Sequence, residues 1–251
     1  MSADKVAIVT GSGRRRVGNV VAQVLAARGY TIVVHYSQSA NDAADTVQEI
    51  EAAGGRAIAI QADLTVEAAI AQMVEQVVDR FGRIDLLVNA AALWSPKPLE
   101  SVTADDVRHH FDVNTLGTFL SAKYVGLVMT RQPDGGSIVN IGDWAIERPY
   151  LNYAAYFPSK GAIPALTRSL AVELASRNPR VRVNCILPGP VMLPADMPPA
   201  ERDAVIQSTL VKREGTPEHV AHAVVFLAEN DFVTGVCLPV DGGRTIYACE
   251  E

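Results

Sequence analysis

Apolar positions along this chain alternate between two periods. Residues 5–10, Lys-Val-Ala-Ile-Val-Thr, form a short and almost continuous apolar run, as a strand buried on both faces of a parallel sheet requires. In residues 17–28 the apolar positions change to helical spacing (Val17, Val20, Val21, Val24, Leu25), and Gly29 follows as a C-cap. The alternation continues to the end of the chain. Strands are expected over 31–34, 56–61, 84–89, 137–141, 182–186 and 236–240, and helices over 41–53, 66–81, 103–130, 152–177 and 217–229. No Pro/Gly/Ser-rich linker interrupts the series, so residues 1–251 are expected to form one α/β domain. Its core would be a doubly wound parallel sheet of seven strands with helices on both faces.

Two stretches break the rhythm. Residues 187–199 carry five prolines (Pro188, Pro190, Pro194, Pro198, Pro199), too many for either regular element. They follow the carboxyl end of a strand, where ligands of such sheets bind, and they carry apolar Val191, Met192, Leu193 and Met197. We expect a substrate-covering loop over about 187–210 rather than an inert connection. The second stretch is 152–177, where Pro158 and Pro164 each remove a helical hydrogen bond at a cost of roughly 3 kcal/mol. A helix there should be distorted or should start late.

Composition narrows the partners. The chain is 49% hydrophobic, ample for a sizeable core, and its net charge of −6 argues against nucleic acid. It has no apolar run long enough to span a bilayer, and residues 1–5 lead directly into the first strand without a signal peptide. Cys185, Cys237 and Cys249 are widely spaced and offer neither a metal nor a disulfide framework. These features lead us to expect a cytoplasmic protein acting on a small molecule, with no metal.

The chemistry begins in the loop after the first strand, Gly11-Ser12-Gly13-Arg14-Arg15-Arg16-Val17-Gly18. Glycines let backbone N–H groups approach a pyrophosphate at the following helix's N-terminus, where the helix dipole favours anions. Three adjacent arginines repel one another there unless a phosphate-rich ligand offsets the cost. An NAD site places a carboxylate after the second strand, but this chain has His35-Tyr36-Ser37 and no acid before Asp42. A 2′-phosphate, hence NADP(H), is favoured. His35 reads equally well as a cofactor neighbour and as a satisfied buried histidine. Tyr156 and Lys160 are four apart and share a helix face, where an ammonium can lower a phenol's pKa.

These segments together resemble the short-chain dehydrogenase/reductase family, with its Rossmann-like fold, over nearly the whole chain. The residues that carry the resemblance are Thr10-Gly11…Gly18, Asp63-Leu64, Asn89-Ala90-Ala91, Asn114, Tyr156-x-x-x-Lys160, Pro188-Gly189-Pro190 and Asp241-Gly242-Gly243. The resemblance implies that Tyr156 donates a proton and that Lys160 binds the nicotinamide ribose. It also implies that Asn114 holds a relay water, that Asp63-Leu64 meets the adenine, and that Asn89-Ala90-Ala91 and Pro188-Gly189 line the cofactor. Family members usually form homotetramers.

One departure narrows the substrate. The family's usual catalytic serine lies thirteen residues before the tyrosine, and here that position is Asp143. An ionised aspartate can only accept a hydrogen bond, and it opposes negative charge on a carbonyl oxygen. Asp143, Arg16 in place of a loop glycine and the His35-Tyr36 pair make the chain most similar to the pteridine reductases. That resemblance implies hydride transfer to a C=N bond of a dihydropterin or dihydrofolate. Substrate would lie among Arg16, Asp143, Tyr156, Leu193, Met197 and a stacking residue, Trp94 or Leu93, although Trp94 reads almost as well as packing under a loop. A carbonyl (ketone or 3-oxoacyl) reductase is the alternative, and a nucleotide-binding regulator without catalysis is a third reading.

Overall fold

The computed structural model describes residues 5–247; Cys249 lies outside them. Seven parallel strands form one sheet in the order β3-β2-β1-β4-β5-β6-β7. They are β1 (Val6–Thr10), β2 (Thr31–Tyr36), β3 (Arg56–Gln61), β4 (Leu86–Asn89), β5 (Gly136–Ile141), β6 (Val181–Pro188) and β7 (Cys237–Val240). The helices are α1 (Val17–Ala27), α2 (Ala40–Ala52), α3 (Glu67–Phe81), α4 (Ala104–His110), α5 (Gly117–Met129), α6 (Tyr156–Ala175), α7 (Pro199–Gln207) and α8 (Pro217–Glu229).

The apolar run of β1 shows why the layers form. Val6 and Ile8 enter one core with residues of α3, α5 and α6, while Ala7 and Val9 enter the other with α1, α2 and α8. Alternate side chains leave opposite faces of a strand, so only a run that is apolar throughout can fill both cores. Strand order reverses beside β1, whose neighbours are β2 and β4. A crevice therefore opens at their carboxyl ends, where the loops following β1 and β4 converge.

Two expectations need correction and one is met. The helix expected over 103–130 is broken by a π-helical turn, Phe111–Leu116, which carries the fully buried Asn114. Nothing in the apolar spacing marks that turn, because α4 and α5 continue on either side of it. The late start expected of the Pro158 helix is seen: it begins at Tyr156, after Asn152 has turned the chain with a left-handed φ of 70°. Pro158 then falls in the first turn, where no amide partner is required, and the helix runs on through Pro164. Finally, α7 occupies part of the stretch expected as loop. It starts on Pro199, a favourable first position, and has no buried residue, so no apolar stripe announced it. Irregular chain runs over residues 189–198 and resumes after α7, from 208 to the start of α8.

Candidate functional site

The crevice is built first by backbone. Gly11 has a φ of 66°, and a Cβ on it would lie 2.7 Å from the Ala91 Cα. Only glycine allows this approach of the β1 loop to the β4 loop. Thr10 Oγ1 accepts from the amides of Ala90 and Ala91 at 3.0 and 3.1 Å, locking the two loops together. Asn89 donates to Asn140 Oδ1 at 2.9 Å and is buried beneath them. Gly189 closes the far side, where a Cβ would lie 2.5 Å from the Asp241 Cα.

His35 is the last buried residue of β2, at 2% exposure. Its Nδ1 accepts from the Gly11 amide at 3.0 Å, and its Nε2–H donates to the Ala62 carbonyl at 3.0 Å. With both nitrogens engaged, His35 supports the glycine loop from behind, tying it to the end of β3. Burial drives its pKa down to about 4, so the ring is neutral at pH 7. Tyr36 belongs to β2 and Ser37 follows it, its carbonyl held by Gln61 at 3.1 Å. Asp63 is exposed, with one oxygen accepting from the Thr65 amide and hydroxyl; those bonds lower its pKa. Leu64 is buried beside it.

The three arginines are not equivalent. Arg14 lies 3.5 Å from Asp42, and Arg15 lies 2.5 Å from Glu49, both acids on α2. Arg16 is exposed, occupies the N-cap of α1 in an extended conformation, and makes no ion pair among the described residues. The first turn of α1 has no acid and no side-chain cap, so its free amides face outward with a cation beside them. This cradle offers a dinucleotide's phosphates backbone amides and a cation, and no carboxylate follows β2 before Asp42. Met192, from the loop after β6, lines a hollow of about 300 Å³ with Arg15, Asn19 and Glu49, so that loop reaches the outer side of α1 and α2.

The second half of the site hangs on α6. Tyr156 opens the helix, 4% exposed, and its hydroxyl donates to Asp143 Oδ2 at 2.7 Å. Asp143 follows β5 and caps a short 3-10 turn, Trp144–Ile146, through the Ala145 amide at 2.8 Å. One turn beyond Tyr156, Lys160 is buried and donates to the Ile141 carbonyl at 2.7 Å. Asn114 links the β4 loop to α6: it exchanges two bonds with the backbone of Leu93, at 2.7 and 2.9 Å, and donates to Ser159 Oγ at 2.9 Å. Ser159 in turn donates to the Tyr156 carbonyl at 2.6 Å.

Electrostatics here oppose the expectation drawn from the Tyr–Lys spacing. Burial, then the Asp143 charge, push Tyr156 well above the ordinary phenol range, so it is held as a protonated phenol. Burial also raises Asp143, against the pull of the Ala145 amide, Tyr156, Lys160 and Arg244, and it lowers Lys160. In the chain by itself, burial and Asp143 govern Tyr156, and burial governs Lys160.

An aromatic wall flanks Tyr156, and the sequence reading found only part of it. Trp94, 42% exposed, stacks on Tyr153 with centroids 5.1 Å apart. Tyr150 packs edge-on against Tyr153 and Phe157, and Tyr153 against Tyr156. The Lys97 amide donates to the Asn152 carbonyl at 2.7 Å, joining the two loops that carry the wall. Aromatics three apart at 150, 153 and 156 were the available signal; with no helix before 156, their convergence needed the turn at Asn152. Leu93 is half-buried beside Asn114. Leu193 and Met197 lie in the loop after β6, where Glu214 accepts from the Leu193 amide at 3.2 Å and pairs with Arg202 at 2.5 Å.

The chain is similar in sequence and fold to known proteins. Residues 12–245 match the family model described as enoyl-(acyl carrier protein) reductase. A 3-oxoacyl-[acyl-carrier-protein] reductase of Synechocystis is 36% identical over 247 residues, covering 97% of this chain and 98% of that one. The crystal structure of a dehydrogenase/reductase from Sinorhizobium meliloti superposes with a TM-score of 0.88 at 35% identity, covering 96% and 95% of the two chains. A blue fluorescent protein from a metagenomic library, solved with NADPH, gives 0.85 at 37% identity, covering 96% and 97%.

Proposed function

The chain belongs to the short-chain dehydrogenase/reductase family, and on that footing we propose that it is an NADP(H)-dependent reductase of ketone-type carbonyl groups, 3-oxo groups among them. The observation that carries this is the Tyr156 hydroxyl, kept protonated by burial and aimed at Asp143 Oδ2, 2.7 Å away. A protonated phenol is the donor that a developing alkoxide needs. Asp143, raised by burial, serves as a carboxylic acid: in that form it donates to the substrate oxygen as a serine hydroxyl would. Lys160 anchors the end of β5 and would hold the nicotinamide ribose; Asn114 keeps the β4 loop registered against α6. Arg16 meets the phosphates, with Gly11, Val17 and Gly18 shaping the cradle. Ala90, Ala91, Pro188 and Gly189 would line the cofactor, and Asp63 with Leu64 would border the adenine. Bound NADPH supplies the hydride. The Synechocystis relative's name, a 3-oxoacyl reductase, supports the carbonyl class.

A second reading rests on Asp143 itself. Ionised, it accepts rather than donates, which suits a pterin-like ring offering N–H groups beside a reducible C=N bond. Trp94 and Tyr153 would then supply a flat wall for that ring. The two readings require opposite protonation states of one carboxyl, so pH and substitution separate them. For carbonyl reduction, kcat/KM should fall as pH rises through the elevated Asp143 pKa, and Asp143→Ser should retain ketone turnover and lose that pH limb. Should Asp143→Ser lose turnover of every ketone while wild type reduces dihydrobiopterin or dihydrofolate, the pterin reading replaces the carbonyl one.

Assembly as a homotetramer is part of the proposal. Phe119 and Leu127 of α5 and Val172 of α6 leave apolar side chains in solvent, and Val172 is 72% exposed. Sedimentation of wild type against Val172→Glu tests it; a monomeric wild type rejects it.

A further inference from the structure

Two cysteines lie outside everything the proposed reaction uses, and they face each other. Cys185 of β6 and Cys237 of β7 are directly opposed in the parallel ladder. Both pack with Ile146, Ile163, Leu166 and Leu187 in one small apolar cluster, so both side chains leave the same face of the sheet. Adjacent paired strands lie about 4.8 Å apart, within the roughly 4.4–6.8 Å of Cα separation that a disulfide spans. Both thiols are free.

Their environments differ in a way that suits exchange chemistry. The buried Cys185 thiol donates to the Ile186 carbonyl at 3.4 Å. The neighbouring Cys185 thiol, with Arg168 adding charge, holds Cys237 below the ordinary thiol range against its partial burial. The Cys237 neighbour and deeper burial push Cys185 up. Cys237 is also the more exposed of the two.

The pair reaches the candidate catalytic segment. Cys185 is in register with Asn140, and the Gly142 amide donates to the carbonyl of the next β6 residue, Ile186, at 2.8 Å. A Cβ on Gly142 would lie 3.1 Å from the Cys185 sulfur, so this sulfur packs directly beneath the residue that precedes Asp143. Lys160 holds the adjoining Ile141 in place from the helix side.

We propose that Cys185 and Cys237 are a reversible oxidation site: a hydroperoxide oxidises Cys237, Cys185 resolves it, and the resulting disulfide slows turnover by moving the support beneath Gly142 and Asp143. The Cys237 thiolate attacks one peroxide oxygen, becoming a sulfenic acid and releasing hydroxide or alkoxide. The Cys185 sulfur then attacks the sulfenic sulfur, forming the S–S bond and releasing water. The two thiols give up two electrons and one peroxide bond is reduced. A bridge between directly paired strands departs from relaxed geometry, which makes it easy to reduce again.

The slowed turnover rests on the proposed reductase reading; the disulfide does not. The test uses the full chain carrying Cys249→Ser, treated with hydrogen peroxide and examined by peptide mapping and by NADPH oxidation. We expect a Cys185–Cys237 cross-linked peptide, turnover lowered by about tenfold, and recovery with dithiothreitol. In Cys237→Ser added to that background, turnover should ignore the same treatment. Absence of the cross-linked peptide overturns the proposal, as does a cross-link that leaves turnover unchanged or an equal loss in the Cys237→Ser protein. If instead the untreated protein turns over no substrate, the reductase reading fails, and the peptide map still decides whether the pair forms.

Discussion

The two halves of the crevice are specified by different means. Around Gly11, contacts are made by backbone: a glycine that admits no Cβ, amides locked onto Thr10, and a histidine whose two nitrogens are fully engaged. Around Tyr156, contacts are made by side chains whose protonation is adjustable: a phenol, a carboxyl and an ammonium, all buried and all shifted by desolvation. A site that must grip a constant cofactor can be rigid and neutral. A site that moves a proton needs groups whose charge state is poised by their surroundings. Substitutions in the first half should therefore change stability and cofactor affinity, and those in the second should change rate.

The largest effect expected is at Tyr156. Tyr156→Phe removes the donor and should lower kcat by about a thousandfold, while NADPH affinity, read by fluorescence titration, stays nearly unchanged. Substantial turnover in that variant would dissolve the division between the halves, because the proton would then come from elsewhere.

His35 tests the rigid half. Its pKa falls from an ordinary 6.5 to about 4 in the folded chain. The unfolded state thus binds more protons across that window. The resulting stability is complete above about pH 6.5 and is lost as pH falls toward 4, by about 3 kcal/mol in all. His35→Gln cannot titrate, so urea unfolding from pH 7 to 4 should show a correspondingly flatter decline, from a lower starting stability. Identical pH slopes for the two proteins would mean that His35 does not hold the loop in its neutral form.

The smallest effect separates the three arginines. Arg16→Ala should weaken NADPH binding by about tenfold, the loss of one charge-assisted phosphate contact. Arg14→Ala and Arg15→Ala should matter less, since Asp42 and Glu49 already engage those side chains. Equal losses at all three positions would show that the α2 acids release their partners when cofactor binds. If Arg16→Ala weakens NADH and NADPH alike, its contact is with the pyrophosphate; a selective loss of NADPH places it at the 2′-phosphate.

Much of this was legible before the fold was known. Strands such as β1 are apolar at all but the last position, and that composition admits burial on both faces and little else. The glycine loop, the Tyr156–Lys160 spacing and Asp143 are local patterns whose chemistry follows from residue type and separation, and they placed the chain in its family. Late initiation of α6 was also readable, because Pro158 has no amide to give. The illegible features are those that depend on distant partners. Arg14, Arg15 and Arg16 are alike in sequence and differ only because α2 brings Asp42 and Glu49 to two of them. His35 was ambiguous until Gly11 and Ala62 took its two nitrogens. Asn114 sits on a π turn that no periodicity marks, and α7 has no buried face to announce it. Cys185 and Cys237, fifty-two positions apart, meet only through the register of β6 and β7. What the sequence alone determined was which residues must be buried and which chemistry each could perform. The tertiary structure decided their partners and their protonation, because desolvation and charge act through space and not along the chain.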